Sequence, residues 1–428
     1  MDPKAIGRRR REDARERWAR GRALRLRRSL AVGVFALAAT ACGSGGSGPA
    51  DPGDGGPGGG GGPGDPSPLT VDCTPGVCAE IAISGDAPAT LPGGALSPAR
   101  GFADPSIRRD PVSGRLWMAY SWPHRAPGGG HVAVENHLAY SDDGGASWTF
   151  AGELWQADPA TSSFGEGDMN SETVSLAPRT VAGRTDWYAA RLTYFTDGNP
   201  RLVSFQLRVA RADRPEDLAA APQQSLAGDF ATAEFAPDVN LSALSSELSG
   251  CVFSDPGLLV VQGRLFLATQ CQRFGQSGEQ PELEFVALFA ASTGASDAQW
   301  AWSYLGRLAD RADALALGGE QLLQTDLAVG SGGDLLAIFS PSEPASPLAT
   351  HFGCRIVRVE RLDPPRLGRR GDGTLDVRAV VTASDLDATG GPGACGYDAS
   401  SATGVVLVRR VLGQGTLVTS LHATGLLP

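Results

Sequence analysis

Short runs of alternating apolar and polar residues follow one another along the chain after residue 70, and glycine-rich turns separate them. This alternation has the period of a half-buried β-strand, and no segment after residue 70 has a convincing helical period. From about residue 100 one unit recurs: an acidic residue, a short strand, a glycine turn and a second apolar strand. The acidic residues that open its five copies are Asp104, Glu172, Asp255, Asp326 and Asp398.

The repeat predicts the fold. Successive copies start 68, 83, 71 and 72 residues apart, a period that fits one four-stranded blade with its loops. We therefore predict an all-β protein, a β-propeller with five or six blades of four-stranded antiparallel sheets, over residues 70–428. Because an open ring would leave an unpaired edge, we expect residues 79–84 to complete the last blade beside the C-terminal strands.

The N-terminus has the pattern of an export signal. Twelve Lys and Arg residues within the first thirty precede an apolar run, residues 30–41, which ends at Cys42. The run is too short for a bilayer span of about 20 residues. It resembles a bacterial lipoprotein signal, which implies cleavage before Cys42, lipidation of its thiol and anchoring in the cell envelope. We interpret residues 1–41 as the signal peptide and the Gly/Pro-rich residues 42–69 as a disordered tether.

Charge limits the partners. The chain has 47 acidic and 37 basic residues and a net charge of −10, and the basic N-terminus leaves the remainder more acidic still. Such a surface disfavours nucleic acid and anionic lipid, so we expect contact with a membrane only through the lipid anchor. We expect a monomer whose ligand is an extracellular glycan or protein.

Six cysteines remain besides Cys42, and an even number in an exported chain favours disulfides. Metal ligation is the competing interpretation, but none of the five histidines lies at zinc-ligand spacing from a cysteine pair. Neighbours in sequence are expected to be local in the fold. The pairs we predict are Cys73–Cys78, Cys251–Cys271 and Cys354–Cys395.

Residues 141–148 carry the most specific motif, because they fit the pattern S-x-D-x-G-x-[ST]-W at every defined position. Ser141 and Asp143 can accept backbone N–H bonds in a tight turn, where Gly145 allows positive φ. Trp148 then returns the chain to the core. The motif resembles the Asp-box, or BNR repeat, of sialidase-like β-propellers, and the resemblance implies a structural turn on the face away from the active site.

Acidic residues that begin innermost strands are expected to converge at one mouth of the central channel. Converging carboxylates raise some of their pKa values, and glycoside hydrolysis needs one protonated and one ionised carboxyl group. Asp104-Pro105 also resembles the first-blade motif of arabinanase- and xylosidase-like hydrolases, which implies that Asp104 is a general base. We assign catalysis to Asp104, Glu172 and Asp255, without a cofactor. The alternatives are a Ca²⁺ ion held by the same ring and turn capping.

Other residues are candidates for substrate binding. Ala103 stands where the sialidase resemblance requires a substrate-binding arginine, and Arg108 lies near enough to substitute for it. Trp122 is a candidate for stacking on a sugar, and Tyr397 resembles the late tyrosine of sialidases. The remaining candidates are Asp326 and Asp398 of the acidic ring, and a polar set formed by His124, His131, Glu135 and His137.

Two functions follow from these patterns. The first is an envelope-anchored, sialidase-like propeller that acts as an exo-acting glycoside hydrolase on extracellular glycans; the regular placement of the acidic residues favours it. The alternative is a non-catalytic propeller lipoprotein that binds glycan or protein, which the missing arginine favours.

Overall fold

Five β-sheets arranged in a ring form the described part of the chain. The computed structural model describes residues 66–126, 130–276, 278–294, 299–344, 349–386, 390–413 and 415–428. The segments that we predict as signal peptide and tether therefore lie outside the described residues, except for residues 66–69, and so does Cys42. Within them, five sheets have four or more strands, and we number them blades 1 to 5 in chain order. Innermost strands of neighbouring blades contact each other around the whole ring, including blade 5 with blade 1. The protein is therefore a β-propeller, as the alternation predicts.

The blades are antiparallel along their main strands. From the innermost strand outward, blade 1 comprises Ala103–Arg109, Leu116–Arg125, Val132–Ser141 and Trp148–Trp155. Blade 2 comprises Gly165–Val181, Arg184–Thr196, Gln206–Ala212 and Gln223–Ala227, with Asp158–Ser162 and Val239–Asn240 at its edges. Blade 3 comprises Val252–Val261, Arg264–Gln272, Phe285–Ser292 and Ser303–Ala309.

Blades 4 and 5 carry additional short strands. Blade 4 comprises Gln321–Val329, Leu335–Glu343, Cys354–Leu362 and Val377–Thr382, with Thr350–His351 and Pro365–Leu367 paired to its inner members. Blade 5 comprises Pro392–Gly396, Val406–Gly413 and Thr416–Ala423, and the short strands Ala79–Glu80 and Ala99–Gly101 pair with the last of these. A separate hairpin pairs Phe274–Gly275 with Gly278–Glu279. The short 3₁₀ turns are Leu202–Ser204, Pro215–Asp217, Ala233–Phe235, Leu241–Leu244, Ser246–Leu248 and Pro281–Leu283.

The apolar core lies between the blades. Five clusters of buried side chains each combine residues of two neighbouring blades. Between blades 1 and 2, for example, the rings of Trp117 and Trp187 lie 6.5 Å apart between centroids. Between blades 5 and 1, Val408 packs in the same cluster as Met118. Each such side chain contributes about 1.5–3 kcal/mol on burial, so the ring is stabilised at every blade junction.

The N-terminal segment joins three blades. Leu69–Asp72 pairs in parallel with the outer strand of blade 4, and Ala79–Glu80 pairs with Thr416–Ala423 in blade 5. Ile83–Ser84 adds to the outer strand of blade 1. The expectation that residues 79–84 complete the last blade is thus right for the first two residues, whereas the last two protect the edge of the next blade.

All three predicted disulfides are confirmed. The Cα atoms are 5.0 Å apart in Cys73–Cys78, 4.9 Å in Cys251–Cys271 and 6.2 Å in Cys354–Cys395. The first closes a short loop in the N-terminal segment, between the strand that pairs with blade 4 and the strand that pairs with blade 5. The second joins the start of the innermost strand of blade 3 to the end of its second strand.

One helix corrects the expectation of none after residue 70. Arg311–Leu317 is a single α-helix between blades 3 and 4. A capping box between Asp310 and Asp313 begins it, and Gly318 ends it at φ 94°. Seven residues are too few to give a clear 3.6-residue period, so the caps were its only sequence signal. Among the described residues, no helix is long and apolar enough to cross a membrane.

Candidate active site

Each innermost strand contains a β-bulge at the same depth. In every blade a residue other than glycine adopts positive φ at that bulge, a conformation that costs about 1 kcal/mol or more. These residues are Asp104, Thr173, Asp255, Gln324 and Ala394, with φ between 46° and 52°. They are the equivalent positions of the five blades, and only two of them are acidic.

A cleft opens at this level of the ring. Its volume is about 550 Å³, a figure that includes the solvent-open space of the cleft. Glu172 precedes the bulge residue of blade 2, and it shares the cleft wall with Asp104. Asp255 lies close to both: its charge raises the pKa of Glu172, and the charge of Asp104 raises the pKa of Asp255. The structure therefore brings together the three carboxyl groups that the sequence assigned to catalysis.

Glu172 is held protonated near neutral pH. Removal of water from its carboxyl group, together with the negative charges of Asp104 and Asp255, raises its pKa to about 8, although a hydrogen bond from Tyr194 and the positive charge of Arg410 oppose the rise. A carboxylic acid at the mouth of the channel can donate a proton to a bound group. Its environment thus fits a general acid.

Asp104 is buried in the same cleft, and its pKa is raised as well. Burial raises its pKa, while a hydrogen bond with Ser121 and the positive charge of Arg410 oppose the rise. The side-chain amide of Gln324 also donates to Asp104 Oδ1 at 3.0 Å. Arg410 attracts both carboxyl groups, but Asp104 has two side-chain donors and Glu172 has one. Because donors favour the ionised form, Asp104 is the better anion of the pair. For Asp255, burial raises the pKa to about 6 and the charge of Asp104 adds to the effect.

Arg410 and His351 complete the cleft, and the sequence analysis missed both. Arg410 donates to the backbone oxygen of Gly390 at 2.7 Å, and its positive charge interacts with Asp104 and Glu172. Burial lowers the pKa of His351 well below its usual value, so its ring is neutral. A Cβ on Gly393 would lie 2.3 Å from His351 Nδ1, which explains the glycine. Neither polar residue recurs at the equivalent position of the other copies, so the repeat did not mark them.

The central channel below the cleft is filled by a salt bridge. Arg108 donates to Asp326 Oδ1 at 2.7 Å, and the two side chains are only 6% and 8% exposed. The same guanidinium donates to the backbone oxygens of Leu327, at 2.6 Å, and Tyr397, at 3.2 Å. Ser175 donates to Asp326 Oδ1 as well. Arg108 and Asp326, which we predicted to bind substrate, thus form a buried pair that closes the channel, and neither is among the residues that line the cleft.

Asp398 and Tyr397 lie away from the cleft too. Asp398 accepts from the backbone N–H of Arg109, at 2.8 Å, at the far end of the strand that begins near Asp104, and it also accepts from Ser400 N. It caps a turn, as the alternative interpretation held. Tyr397 is fully buried and its hydroxyl donates to Pro428 O at 3.0 Å. Neither residue can bind a substrate in the cleft.

Trp122 does not line the cleft. Side chains alternate along a strand, and Ser121 and Pro123 face the cleft, which turns Trp122 to the other face of blade 1. There its indole N–H donates to Ala87 O at 3.0 Å, and its ring stacks on His137. The predicted sugar-stacking role is therefore wrong. No Phe, Tyr or Trp side chain is among the residues that line the cleft in the described part of the chain.

The turn at residues 141–148 lies at the end opposite the cleft. Gly145 N–H donates to Ser141 Oγ at 2.8 Å, and that hydroxyl donates to Asp143 Oδ1 at 2.7 Å. Trp148 is 2% exposed. The backbone oxygen of Gly144 accepts from Ala402 N at 2.7 Å, in the same loop region as Asp398. The turn has the structural role that the motif implied.

The cleft carboxylates are not grouped as a metal site. Among the described residues, one triad has all its ligand atoms within 4.8 Å of one another, and it consists of Glu135, His137 and Glu153 on blade 1. Asp104, Glu172 and Asp255 form no such triad. The arrangement does not favour the Ca²⁺ ion that the sequence left open for this ring.

Comparisons with known proteins give distant likeness only. No protein-family model and no curated protein matches the chain. A family 117 glycoside hydrolase of the marine bacterium Zobellia galactanivorans is similar at 12% identity and a TM-score of 0.42, covering 81% of this chain and 88% of that one. Sucrose-6-phosphate hydrolase from Lactobacillus gasseri is similar at 12% identity and a TM-score of 0.44, covering 76% of this chain and 58% of that one. An α-L-arabinofuranosidase from Fusarium graminearum is similar at 8% identity and 0.41, covering 81% and 96%. At these values the likeness carries no argument about chemistry, which rests on the residues.

Proposed function

We propose that the cleft is the active site of a glycoside hydrolase. The observation that carries the proposal is that two neighbouring carboxyl groups differ in protonation, one favouring the acid form and the other the anion. Glu172, with its pKa raised to about 8, supplies the proton to the leaving oxygen. Asp104, which accepts from Gln324 and lies near Arg410, supplies the negative charge that stabilises the oxocarbenium-like transition state.

Asp255 and Arg410 adjust this pair. The charge of Asp255 helps to keep Glu172 protonated, and Arg410 attracts both Asp104 and Glu172. Asp104 acts either as the nucleophile or as the base that activates water, and the working separation of the two carboxyl groups decides which.

The shape of the site supports exo action. Arg108 lies four residues beyond Asp104 on the same strand, about 13 Å at the rise of a β-strand. Its buried salt bridge with Asp326 closes the channel below the cleft. A pocket with a closed floor accommodates the end of a glycan chain rather than its middle.

Turnover on a panel of aryl glycosides, with a glycan-binding array run in parallel, tests the proposal. We expect Glu172→Gln and Asp104→Asn each to lower turnover about 10²- to 10⁴-fold. The matched control is Glu166→Gln, an exposed glutamate on the innermost strand of blade 2, which should keep full activity.

Glycan binding by a wild-type protein that turns over no glycoside would instead establish the alternative, a non-catalytic binding propeller. Turnover that survives in both carboxyl variants would place the chemistry elsewhere.

We further propose that the protein is exported and held at the bacterial cell envelope by a lipid on Cys42, as a monomer. The apolar run before that cysteine and the Gly/Pro-rich segment after it support this. Cys42→Ser should release the protein from membranes or block its processing. Unchanged mass and membrane fractionation in that variant would contradict the anchor.

A further inference from the structure

A second polar cluster lies on the face of blade 1 that does not line the cleft. Glu135 and His137 are two residues apart on one strand, and Glu153 lies opposite His137 on the next strand. One ligand atom from each lies within 4.8 Å of the other two. His137 is 4% exposed, Glu135 is 15% exposed and Glu153 is open to solvent.

The imidazole of His137 is fixed in orientation. Its Nδ1 lies 2.8 Å from Asp86 Oδ2, and the Tyr120 hydroxyl donates to the same carboxylate oxygen at 2.6 Å. The ring stacks on Trp122 with 5.0 Å between centroids and 16° between planes. A carboxylate that accepts from one histidine nitrogen is the usual support of a metal-binding histidine, because it presents the other nitrogen as a lone pair.

That other nitrogen has no hydrogen-bond partner. His137 Nε2 is buried and unpaired, and it lies 3.7 Å from Glu135 Oε2, beyond hydrogen-bond distance. His124 Nε2 lies 3.8 Å from the other oxygen of Glu135. A buried lone pair and two carboxylates that face one another are mutually repulsive, and a shared cation removes the repulsion.

We propose that Glu135, His137 and Glu153 bind one divalent transition-metal ion of the zinc type. One imidazole nitrogen with two carboxylate oxygens is a donor set that such ions accept, whereas Ca²⁺ and Mg²⁺ take oxygen ligands. His124 or a solvent molecule supplies the fourth ligand. Glu153 accepts from Gln156 at 2.5 Å on the surface, so it can close onto the ion without disturbing the core.

Calorimetric titration of the full chain, stripped of metal by a chelator, with Zn²⁺ alone tests the site. We expect one equivalent to bind and to raise the thermal midpoint, and Co²⁺ to give a visible absorption band in its place. Glu153→Gln should weaken Zn²⁺ binding at least tenfold, and because this residue is exposed the fold should survive. Asp86→Asn, which removes the support of His137, should weaken it about 10- to 100-fold.

Glu166→Gln again serves as the control and should bind Zn²⁺ as the wild type does. Absence of binding to the wild-type chain would overturn the proposal and leave His137 as an imidazolium between carboxylates. Equal binding by the wild type and Glu153→Gln would overturn it as well, since the ion would then lie elsewhere. Tighter binding of Ca²⁺ than of Zn²⁺ would contradict the proposed class of ion. None of these outcomes depends on turnover at the cleft.

Discussion

The salt bridge that fills the channel makes a sharp prediction about stability. In Asp326→Asn the side chain keeps its shape, but the guanidinium of Arg108 is left buried without a counter-charge. Arg108 also donates to backbone oxygens of blades 4 and 5, so it cannot leave the channel without breaking those bonds. The variant therefore isolates the cost of an uncompensated buried charge.

The magnitude follows from the burial. With side chains 6% and 8% exposed and 2.7 Å between the charged atoms, removal of one partner costs about 3–5 kcal/mol. We take the lower end, about 3 kcal/mol, because Asn can still accept from Arg108 and Ser175. An exposed pair of equal length provides the matched control. Arg115 and Asp142 also lie 2.7 Å apart but are 35% and 61% exposed, so Asp142→Asn should cost less than about 1 kcal/mol.

Urea unfolding followed by tryptophan fluorescence measures both variants. For a slope of about 3 kcal/mol per molar urea, Asp326→Asn should lower the midpoint by about 1 M, and Asp142→Asn should hardly move it. If the two variants shift the midpoint equally, burial does not govern the strength of this salt bridge and the reasoning fails.

Three further predictions concern pH and covalent structure. Turnover should fall as the pH rises past about 8, where Glu172 loses its proton; an unchanged rate at higher pH would show that another group is the acid. Burial, with the charge of Glu279, raises the pKa of Glu284 from 4.5 to about 8. The protonated carboxyl group therefore stabilises the folded protein fully at a pH below the pKa that Glu284 has in the unfolded chain, and this contribution is lost as the pH rises toward 8. The free energy of unfolding of Glu284→Gln should therefore fall less steeply with pH than that of the wild type, by up to about 1.4 kcal/mol per pH unit. Parallel plots of the two free energies against pH would refute this. Replacing Cys251 and Cys271 by serine opens a link across 20 residues and should cost about 3 kcal/mol in a denaturation experiment; a loss below about 1 kcal/mol would contradict the entropic argument.

Much of the architecture is determined by local pattern. Alternating apolar and polar residues predict strands, and glycine turns separate these strands. A unit that repeats about every seventy residues cannot bury its apolar faces without neighbouring copies. The same reasoning paired the cysteines correctly, because cysteines that are neighbours in sequence lie in one segment, in one blade or in adjacent blades. It also brought Asp104, Glu172 and Asp255 together, since all three lie beside the bulges of innermost strands.

The identity of the remaining site residues was decided only by the tertiary structure. A shift of one residue along a strand reverses the face that a side chain occupies, and the bulge adds an offset that the repeat does not reveal. Gln324 therefore stands at the level of Asp104, while Asp326, two residues later, reaches the buried channel. Arg410 enters the cleft from the second strand of the last blade, at a position where the other copies of the repeat have no charged residue. Charge and hydropathy predicted that acidic groups would meet at the channel, but strand register and ring closure determined which ones face the cleft and which one closes its floor.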